Sequence, residues 1–358
     1  MTNSKPEKTP EKYHKCKKQS EPNYLADMAK IIESTAKAHK VSGKVKEIHS
    51  GPTITTFTFD VNAGTPVIQV KRLDSWLARA LFVPSIQITK ESSSEDRFFL
   101  EIPNLGYQAV QFSDLVVQPD FLKVEEGSIL FGVDADGKSV ISHLKDLPHL
   151  LVAGNNCKET EQLINSVIHS LFIKTEPCST KVLLIDPKAS GFYIYKDHPH
   201  LLAPVVFSVE KAVTWLQWVD AEIETRIQKM AEGLSQIALK WNEKGSSGQP
   251  PILIIIRELA DLVTEAREVV TRAIERITKY GGSVGIHLIV ATQCPSETTI
   301  PEKLRDGSIS QFVFQTSSRT ESIVTLGIDG AEKLLGVGDG FLRLSGGQSV
   351  SRVYIPDL

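Results

Sequence analysis

The 358-residue sequence has few cysteines, no long apolar run and little excess charge of either sign. Its four cysteines, Cys16, Cys157, Cys178 and Cys294, have neither metal-ligand nor disulfide-framework spacing, so reduced thiols and no bound metal are expected. No apolar stretch approaches roughly 18 residues and the N-terminus is polar, which argues against a membrane span or a secretory leader and predicts a cytoplasmic protein. A net charge of −3 argues against a broad basic surface that holds DNA by phosphate contacts alone, and leaves room for a few local contacts.

Three segments of the chain differ in their residue pattern. Residues 1–23 contain six lysines and almost nothing to bury, which predicts a disordered basic tail. Residues 24–118 combine helical spacing with strand-like alternation at Phe57, Phe59 and Val61, which predicts a small α+β domain. Residues 119–358 alternate short apolar runs with helices such as 159–173, which predicts an α/β fold with a mostly parallel sheet covered on both faces. The predicted strands of this segment are 150–153, 182–185, 252–256, 287–291 and 311–314.

Several segments occur in the order and spacing of one known family of motors. They are PHLLVAGNN (148–156), LLIDPK (183–188), HPHLL (198–202), ILIIIRELADL (252–262), GIHLIVATQCPS (285–296) and GAEKLLGVGDGFL (330–342). Upstream, SGPTITTFTFDVNAG (50–64) and EIPN (101–104) are similar to the smaller domain that precedes this motor. The chain therefore resembles the FtsK/SpoIIIE family over residues 24–358. The resemblance implies a RecA-like P-loop NTPase core, a hexameric ring around double-stranded DNA and ATP-driven translocation.

The phosphate-binding loop that this resemblance implies departs from the pattern of a working P-loop. A P-loop reads G-x-x-x-x-G-K-[ST]; its backbone N–H groups and its Lys hold phosphates, and its hydroxyl binds Mg²⁺. The corresponding residues here are Gly154, Asn155, Asn156, Cys157, Lys158, Glu159, Thr160 and Glu161. We expect Glu159 and Glu161 to satisfy the positive helix N-terminus themselves and to repel a triphosphate. The alternative is that Lys158 substitutes for the P-loop lysine, whose position Thr160 occupies.

The second half of the nucleotide site is altered as well. In the family, the strand equivalent to 252–256 ends in Asp-Glu, where the Asp holds the Mg²⁺ shell and the Glu activates water. Here the pair is Arg257-Glu258, and a guanidinium repels Mg²⁺. Positions 161 and 257 face the metal from opposite sides in a P-loop fold, so we expect a bidentate salt bridge between Glu161 and Arg257. Two independent substitutions that point into water are the alternative.

Residues that would complete hydrolysis or contact DNA are sparse. Three arginines that the family supplies from neighbouring subunits are replaced in segments 281–285, 292–296 and 321–323. Glu258 and Gln293 are the catalytic-type residues that remain. The candidate DNA contacts are Lys279 in the loop 279–284, and Lys303 and Arg305 in the loop 303–311. So few cations predict weak and salt-sensitive DNA binding.

Three functions follow from this pattern. The leading hypothesis is a non-hydrolysing structural or regulatory protein that associates with double-stranded DNA or with an active FtsK-type homologue in a homo- or hetero-hexamer. The second is a residual ATP-dependent DNA translocase for DNA segregation or transfer, and the third is a protein-binding module that has kept the fold. No cofactor is expected; ATP and Mg²⁺ would be ligands only if the altered site still binds nucleotide.

Overall fold

The computed structural model describes residues 22–51, 54–91, 94, 96–104, 110–189, 191–231, 249–336, 338–347 and 349–358. The chain divides into two compact units, residues 1–108 and 109–358. The predicted basic tail lies outside the described residues as far as residue 21. The unit boundary precedes residue 118 because the segment after it pairs with the C-terminus: Phe112 N donates to Asp357 O and Asp357 N donates to Val110 O, both at 2.7 Å.

The first unit packs helices against an antiparallel sheet with the strand order β1-β2-β4-β3. Its helices are α1 (Pro22–Ala38), α2 (Val67–Lys71) and α3 (Asp74–Leu81), and its strands are β1 (Gly43–Ser50), β2 (Ile54–Val61), β3 (Gln87–Lys90) and β4 (Arg97–Pro103). Successive side chains of a strand point to opposite faces, so β4 buries Phe98, Leu100 and Ile102 and leaves the residues between them half-buried. The buried set packs with Ile32 of α1 and Leu77 of α3.

The second unit is built on a mixed sheet with the order β6-β5-β13-β12-β11-β7-β10-β9-β8 among the described residues. The strands are β5 (Ser128–Val133), β6 (Ser139–His143), β7 (His149–Ala153), β8 (Lys181–Ile185), β9 (Ile252–Arg257), β10 (Ile286–Thr292), β11 (Ser310–Val313), β12 (Asp339–Arg343) and β13 (Val350–Tyr354). The helices are α4 (Phe112–Val116), α5 (Pro119–Leu122), α6 (Cys157–Lys174), α7 (Val209–Ala231), α8 (Leu259–Tyr280) and α9 (Arg319–Leu326). Short 3₁₀ turns lie at Phe192–Tyr195, Gly281–Val284, Glu302–Leu304 and Ala331–Lys333.

The parallel half of this sheet confirms the prediction from the apolar runs. Strands β11, β7, β10, β9 and β8 are mutually parallel, and β7 is buried throughout. Both faces are covered, because Ile254 of β9 packs with α7 and α8 whereas its neighbour Ile255 packs with α6. Strands β12, β13, β5 and β6 continue the sheet in antiparallel fashion, so the sheet as a whole is mixed.

The topology gathers several loops at one edge of the sheet. The carboxyl ends of parallel strands meet at the same edge, where ligands of open α/β sheets bind. Strand β7 leads there into the loop 154–156 and α6, and β9 leads into α8. Among the described residues, no helix is both long and apolar enough to cross a bilayer.

Candidate functional site

The loop after β7 is tied to the strands on either side of it. Gly154 N donates to Thr292 O at 3.3 Å, and Asn155 N donates to Gln315 O at 3.1 Å. A Cβ at position 154 would lie 2.6 Å from the Cβ of Phe314, so only glycine fits there. The Asn155 amide also donates to Ser317 Oγ at 2.6 Å. The loop is therefore held by its neighbours at the carboxyl edge of the sheet.

An asparagine, and not a carboxylate, caps the helix that follows. Asn156 Oδ1 accepts a hydrogen bond from Lys158 N at 3.1 Å, as an N-cap residue does. In the described contacts neither carboxylate caps the helix by a hydrogen bond: Glu159 accepts from Gly338 N, and Glu161 accepts from Arg257 Nη2. Lys158 itself is exposed.

Glu159, at the position of the second P-loop glycine, turns into the protein interior. It is only 4% exposed, and its Oε1 accepts a hydrogen bond from Gly338 N at 2.8 Å. Its Oε2 is buried without a hydrogen-bond partner in the described part of the chain. Burial raises the pKa of Glu159, and the charge of Asp339 adds to the rise, while the Gly338 hydrogen bond opposes it.

Thr160, at the position of the P-loop lysine, is buried and bonds to the backbone just before it in the chain. Its side chain is 2% exposed, and its hydroxyl donates to Cys157 O at 2.9 Å within the first turn of α6. This bond back to the helix backbone satisfies the hydroxyl locally. Position 160 therefore presents neither a cation nor a free donor to the loop.

The predicted salt bridge between α6 and β9 is confirmed. Arg257 Nη2 lies 3.0 Å from Glu161 Oε2 and 3.1 Å from Cys157 Sγ. The described contact is single and runs through Nη2, so the expected bidentate geometry was wrong. The Arg257 side chain is 3% exposed, against 34% for Glu161. Burial disfavours the charged form of Arg257, but the attraction of Glu161 and Cys157 outweighs it and raises the pKa.

The space for this guanidinium depends on a glycine that the sequence did not single out. A Cβ at Gly191 would lie 1.7 Å from Arg257 Nη1, so a side chain there would displace the arginine. Gly191 N and Phe192 N both donate to Asp186 Oδ2, at 2.9 and 3.2 Å, and Asp186 is fully buried. The signal in the sequence was the segment LLIDPK, which places Asp186 at the end of β8.

Glu258 links two parallel strands at their carboxyl ends. Its Oε1 accepts from Ala260 N at 3.2 Å and caps α8, and its Oε2 accepts from Gln293 N at 2.7 Å. Both carboxylate oxygens therefore have backbone donors. The sequence predicted that Glu258 and Gln293 are the remaining catalytic-type residues. In the structure the two residues are in contact, through the Glu258 carboxylate and the Gln293 backbone N–H.

A second ion pair, which sequence reasoning missed, lies in the same group of loops. Lys188 Nζ is 2.9 Å from Asp261 Oδ1, and this hydrogen bond raises the pKa of Lys188, with smaller contributions from Glu258 and Cys294. Lys188 follows β8 and Asp261 lies in the first turn of α8. The positive charge of Lys188 at this edge of the sheet is therefore balanced by the Asp261 carboxylate.

The three candidate DNA contacts differ in how free their charges are. Lys279 is exposed near the end of α8, and its Nζ lies 4.9 Å from the centre of the Tyr280 ring. Lys303 pairs with Asp306 at 3.1 Å. Arg305 uses its Nε to donate to Ile300 O at 3.0 Å. Lys303 and Arg305 share one turn, and Lys279 belongs to another element.

Known proteins resemble both units of the chain. Residues 8–104 match the family model of the FtsK alpha domain, and residues 120–247 match that of the FtsK/SpoIIIE family. The chain belongs to the FtsK/SpoIIIE family. A DNA translocase FtsK of Staphylococcus epidermidis is 35% identical over 333 residues, which cover 90% of this chain and 41% of that protein. A DNA translocase FtsK of Campylobacter jejuni is 34% identical over 322 residues, 88% of this chain and 34% of the relative. The chain thus spans less than half the length of these FtsK relatives.

Solved structures share the fold of this FtsK/SpoIIIE chain. The pCW3 conjugation coupling protein TcpA, in a monomer form with ATPγS, superposes with a TM-score of 0.63 at 15% identity, covering 92% of this chain and 95% of TcpA. The cytoplasmic domain of the type VII secretion ATPase EccC of Thermomonospora curvata gives 0.59 at 19% identity, covering 70% and 32% of the two chains. The fold is that of the RecA-like P-loop ATPases, as the sequence predicted.

Proposed function

We propose that this chain is a non-hydrolysing member of the FtsK/SpoIIIE family, a pseudo-ATPase that serves a DNA-associated ring as a structural or regulatory subunit. The observation that carries the proposal is the contact of Arg257 Nη2 with Glu161 Oε2 at 3.0 Å. The pair joins the two positions from which a P-loop fold holds Mg²⁺. An internal ion pair thereby replaces the metal.

The residues of this pair do not fit a magnesium ion. Mg²⁺ takes oxygen ligands in strict octahedral geometry at about 2.0–2.1 Å. Arg257 offers no oxygen, and its fixed positive charge, 3% exposed, repels a divalent cation. The Glu161 carboxylate is already engaged by that guanidinium. Admitting the metal would require the arginine to leave a buried position that its counter-charge stabilises.

The loop residues also fit the phosphates poorly. A P-loop lysine meets the terminal phosphate, and position 160 supplies a buried hydroxyl that bonds to its own helix. Position 159 brings a buried carboxylate near the helix N-terminus in place of a glycine. Lys158 is exposed but lies two positions before the place of the P-loop lysine, at a variable position of the motif. Metal and phosphate recognition are therefore altered together.

DNA association is proposed because two relatives are named DNA translocases. Lys279, Lys303 and Arg305 would supply at most about three phosphate contacts, and binding should weaken with a log–log salt slope of roughly −3. The chain would act as a homo-hexamer or in a mixed hexamer with an active homologue, in the cytoplasm.

The test is ATP turnover by the full chain with and without double-stranded DNA, beside the motor of an active FtsK as a positive control. We expect no DNA-stimulated phosphate release above the rate of an Arg257→Asp, Glu258→Gln double variant. Turnover by the wild-type chain that Glu258→Gln abolishes would overturn the proposal and favour a residual translocase.

A mixing experiment tests the regulatory role. Light scattering and native mass spectrometry of the chain with an active FtsK motor, with and without DNA, should show mixed rings. The translocation rate of the same mixture, measured separately, should be lower than that of the active motor alone. A chain that binds neither DNA nor the motor would contradict the DNA-associated role and favour a module with another protein partner.

A further inference from the structure

Helices α2 and α3 of the first unit form one amphipathic stretch. The backbone between them stays in the right-handed helical region at Arg72 and Leu73, and Arg72 N donates to Ile68 O at 3.1 Å. Side chains three or four residues apart therefore share a side of this stretch. The buried side, which packs into the core of the unit, consists of Val70, Leu73, Leu77 and Leu81.

The opposite side of the stretch faces solvent and combines apolar with basic residues. Its members, all exposed, are Ile68, Arg72, Ser75, Arg79 and Phe82. Phe82 is 88% exposed, more than any other large hydrophobic side chain in the described residues, and Ile68 is 67% exposed. We call this side the α2–α3 face; it has an apolar residue at each end and two arginines between them.

Phe82 stands where glycine is the usual residue. It ends α3 with a φ of 56°, in the left-handed region, which strains a residue that carries a Cβ. The Phe82 side chain takes no part in the buried cluster that holds the first unit together. A large apolar side chain that strains the backbone and packs in no core suits contact with a partner outside the chain.

Exposed positive charges accompany the α2–α3 face. Residues 35–41 and 67–82 carry five lysines and arginines and one carboxylate, Asp74. The five cations, all exposed, are Lys37, Lys40, Lys71, Arg72 and Arg79. None of them forms an ion pair or a side-chain hydrogen bond with another residue that the structure describes. The end of α1 is joined to α3 through Trp76, 47% exposed, whose ring stacks on that of His39 with centroids 4.4 Å apart.

We propose that the α2–α3 face, together with the end of α1, lies on the surface of an anionic lipid bilayer. The cations pair with anionic headgroups, while Ile68 and Phe82 enter the boundary between headgroups and acyl chains. Trp76 belongs to the residue type that is enriched at this boundary. The inference goes beyond the proposed function and concerns the first unit alone, so it stands whether or not the chain hydrolyses ATP.

The apolar ends of the face favour a bilayer over duplex DNA. DNA phosphates would suit the two arginines equally well. Duplex DNA, however, offers no apolar phase to Ile68, whose side chain has no ring to stack on a base. A bilayer satisfies both the charges and the exposed apolar side chains.

Co-sedimentation of the full chain with vesicles tests the proposal. One set of vesicles contains phosphatidylcholine alone, and in the other about a third of the lipid is phosphatidylserine. We expect binding to the anionic vesicles to be at least about tenfold stronger. The double variants Arg72→Gln, Arg79→Gln and Ile68→Ser, Phe82→Gly should each weaken it about tenfold. Glycine at position 82 relieves the backbone strain, so the apolar variant should remain folded.

Matched variants separate the face from other exposed groups. The lysines of residues 1–23 would also attract anionic lipid, and they are unchanged in every variant. Ile194→Ser removes a side chain of the second unit that is 71% exposed, and Lys123→Gln, Lys211→Gln removes two exposed lysines there. Both controls should change binding less than about twofold. Circular dichroism verifies the fold of each variant.

Tryptophan fluorescence locates the contact, and the contrary results are distinct. Quenching by lipids brominated in their acyl chains should fall when Trp76 is replaced by Phe. Equal binding to both kinds of vesicle, no binding to the anionic ones, or binding that both face variants leave unchanged would overturn the proposal. Arginine variants that weaken binding of duplex DNA and leave vesicle binding unchanged would also overturn it and assign the face to DNA.

Discussion

The two members of the Glu161–Arg257 pair should respond unequally to neutralisation. In Glu161→Gln, a guanidinium that is 3% exposed loses its counter-charge. Removing one partner of a buried pair costs about 3–5 kcal/mol, and the 34% exposure of Glu161 places the cost near the lower limit, about 3 kcal/mol. In Arg257→Met, water can hydrate the half-buried carboxylate and the thioether fills the space. We therefore expect a loss of only about 1–2 kcal/mol.

The double variant Glu161→Gln, Arg257→Met removes both charges, and its stability gives the coupling free energy between the two side chains. Replacing a buried ion pair by neutral groups of similar volume is often nearly neutral, so we expect the double variant within about 1 kcal/mol of wild type. The two single losses sum to about 4–5 kcal/mol, so the coupling free energy is then roughly 3–5 kcal/mol. Urea unfolding of the full chain, followed by circular dichroism, gives all four stabilities when the m-values agree.

Additive losses in this cycle would refute the reasoning. If the double variant loses the sum of the two single losses, Glu161 and Arg257 do not interact in solution, and two independent substitutions would be the better account. A Glu161→Gln variant as stable as wild type would show that the guanidinium finds water or another partner.

Three further predictions concern buried titratable groups. Burial raises the pKa of Glu159, so the protein loses stability as the pH rises through that pKa. Glu159→Gln should therefore stabilise the protein by about 1 kcal/mol at pH 8 and not at about pH 4, as measured by urea unfolding. Burial lowers the pKa of His287 to about 3 and of His149 to about 4, so the unfolded chain binds more protons below about pH 6.5 and stability should fall from there towards pH 4. His149→Asn should flatten that fall, and an unchanged slope would contradict the assignment. Glu258→Ala removes the α8 cap and the bond to Gln293 N, and should lower the unfolding free energy by about 1–3 kcal/mol; no loss would argue against this structural role.

Sequence reasoning succeeded where one physical requirement controls the pattern. A parallel strand buried on both faces is mostly apolar, so the strands from β7 to β11 were readable as short apolar runs. The antiparallel strands β6 and β13 are half-exposed and carry polar residues, and their pairing depends on distant segments. The Glu161–Arg257 contact was predictable because the fold fixes both backbone positions.

Side-chain directions were less accessible. The sequence shows that Glu159 stands in a helix first turn, but only the packing of the segment near Gly338 provides the donor that draws it inward. In the same way, the space for Arg257 depends on Gly191, far away in the chain.

The central claim, that an internal ion pair stands in place of Mg²⁺ and nucleotide, is tested most directly by calorimetry of ATP binding, with and without Mg²⁺. The matched control carries Glu159→Gly, Thr160→Lys, Glu161→Ser and Arg257→Asp, which together restore the P-loop pattern and the metal-binding carboxylate. We expect no binding heat from the wild-type chain under either condition, and Mg²⁺-dependent binding by the control. Micromolar binding of ATP by the wild-type chain would contradict the account.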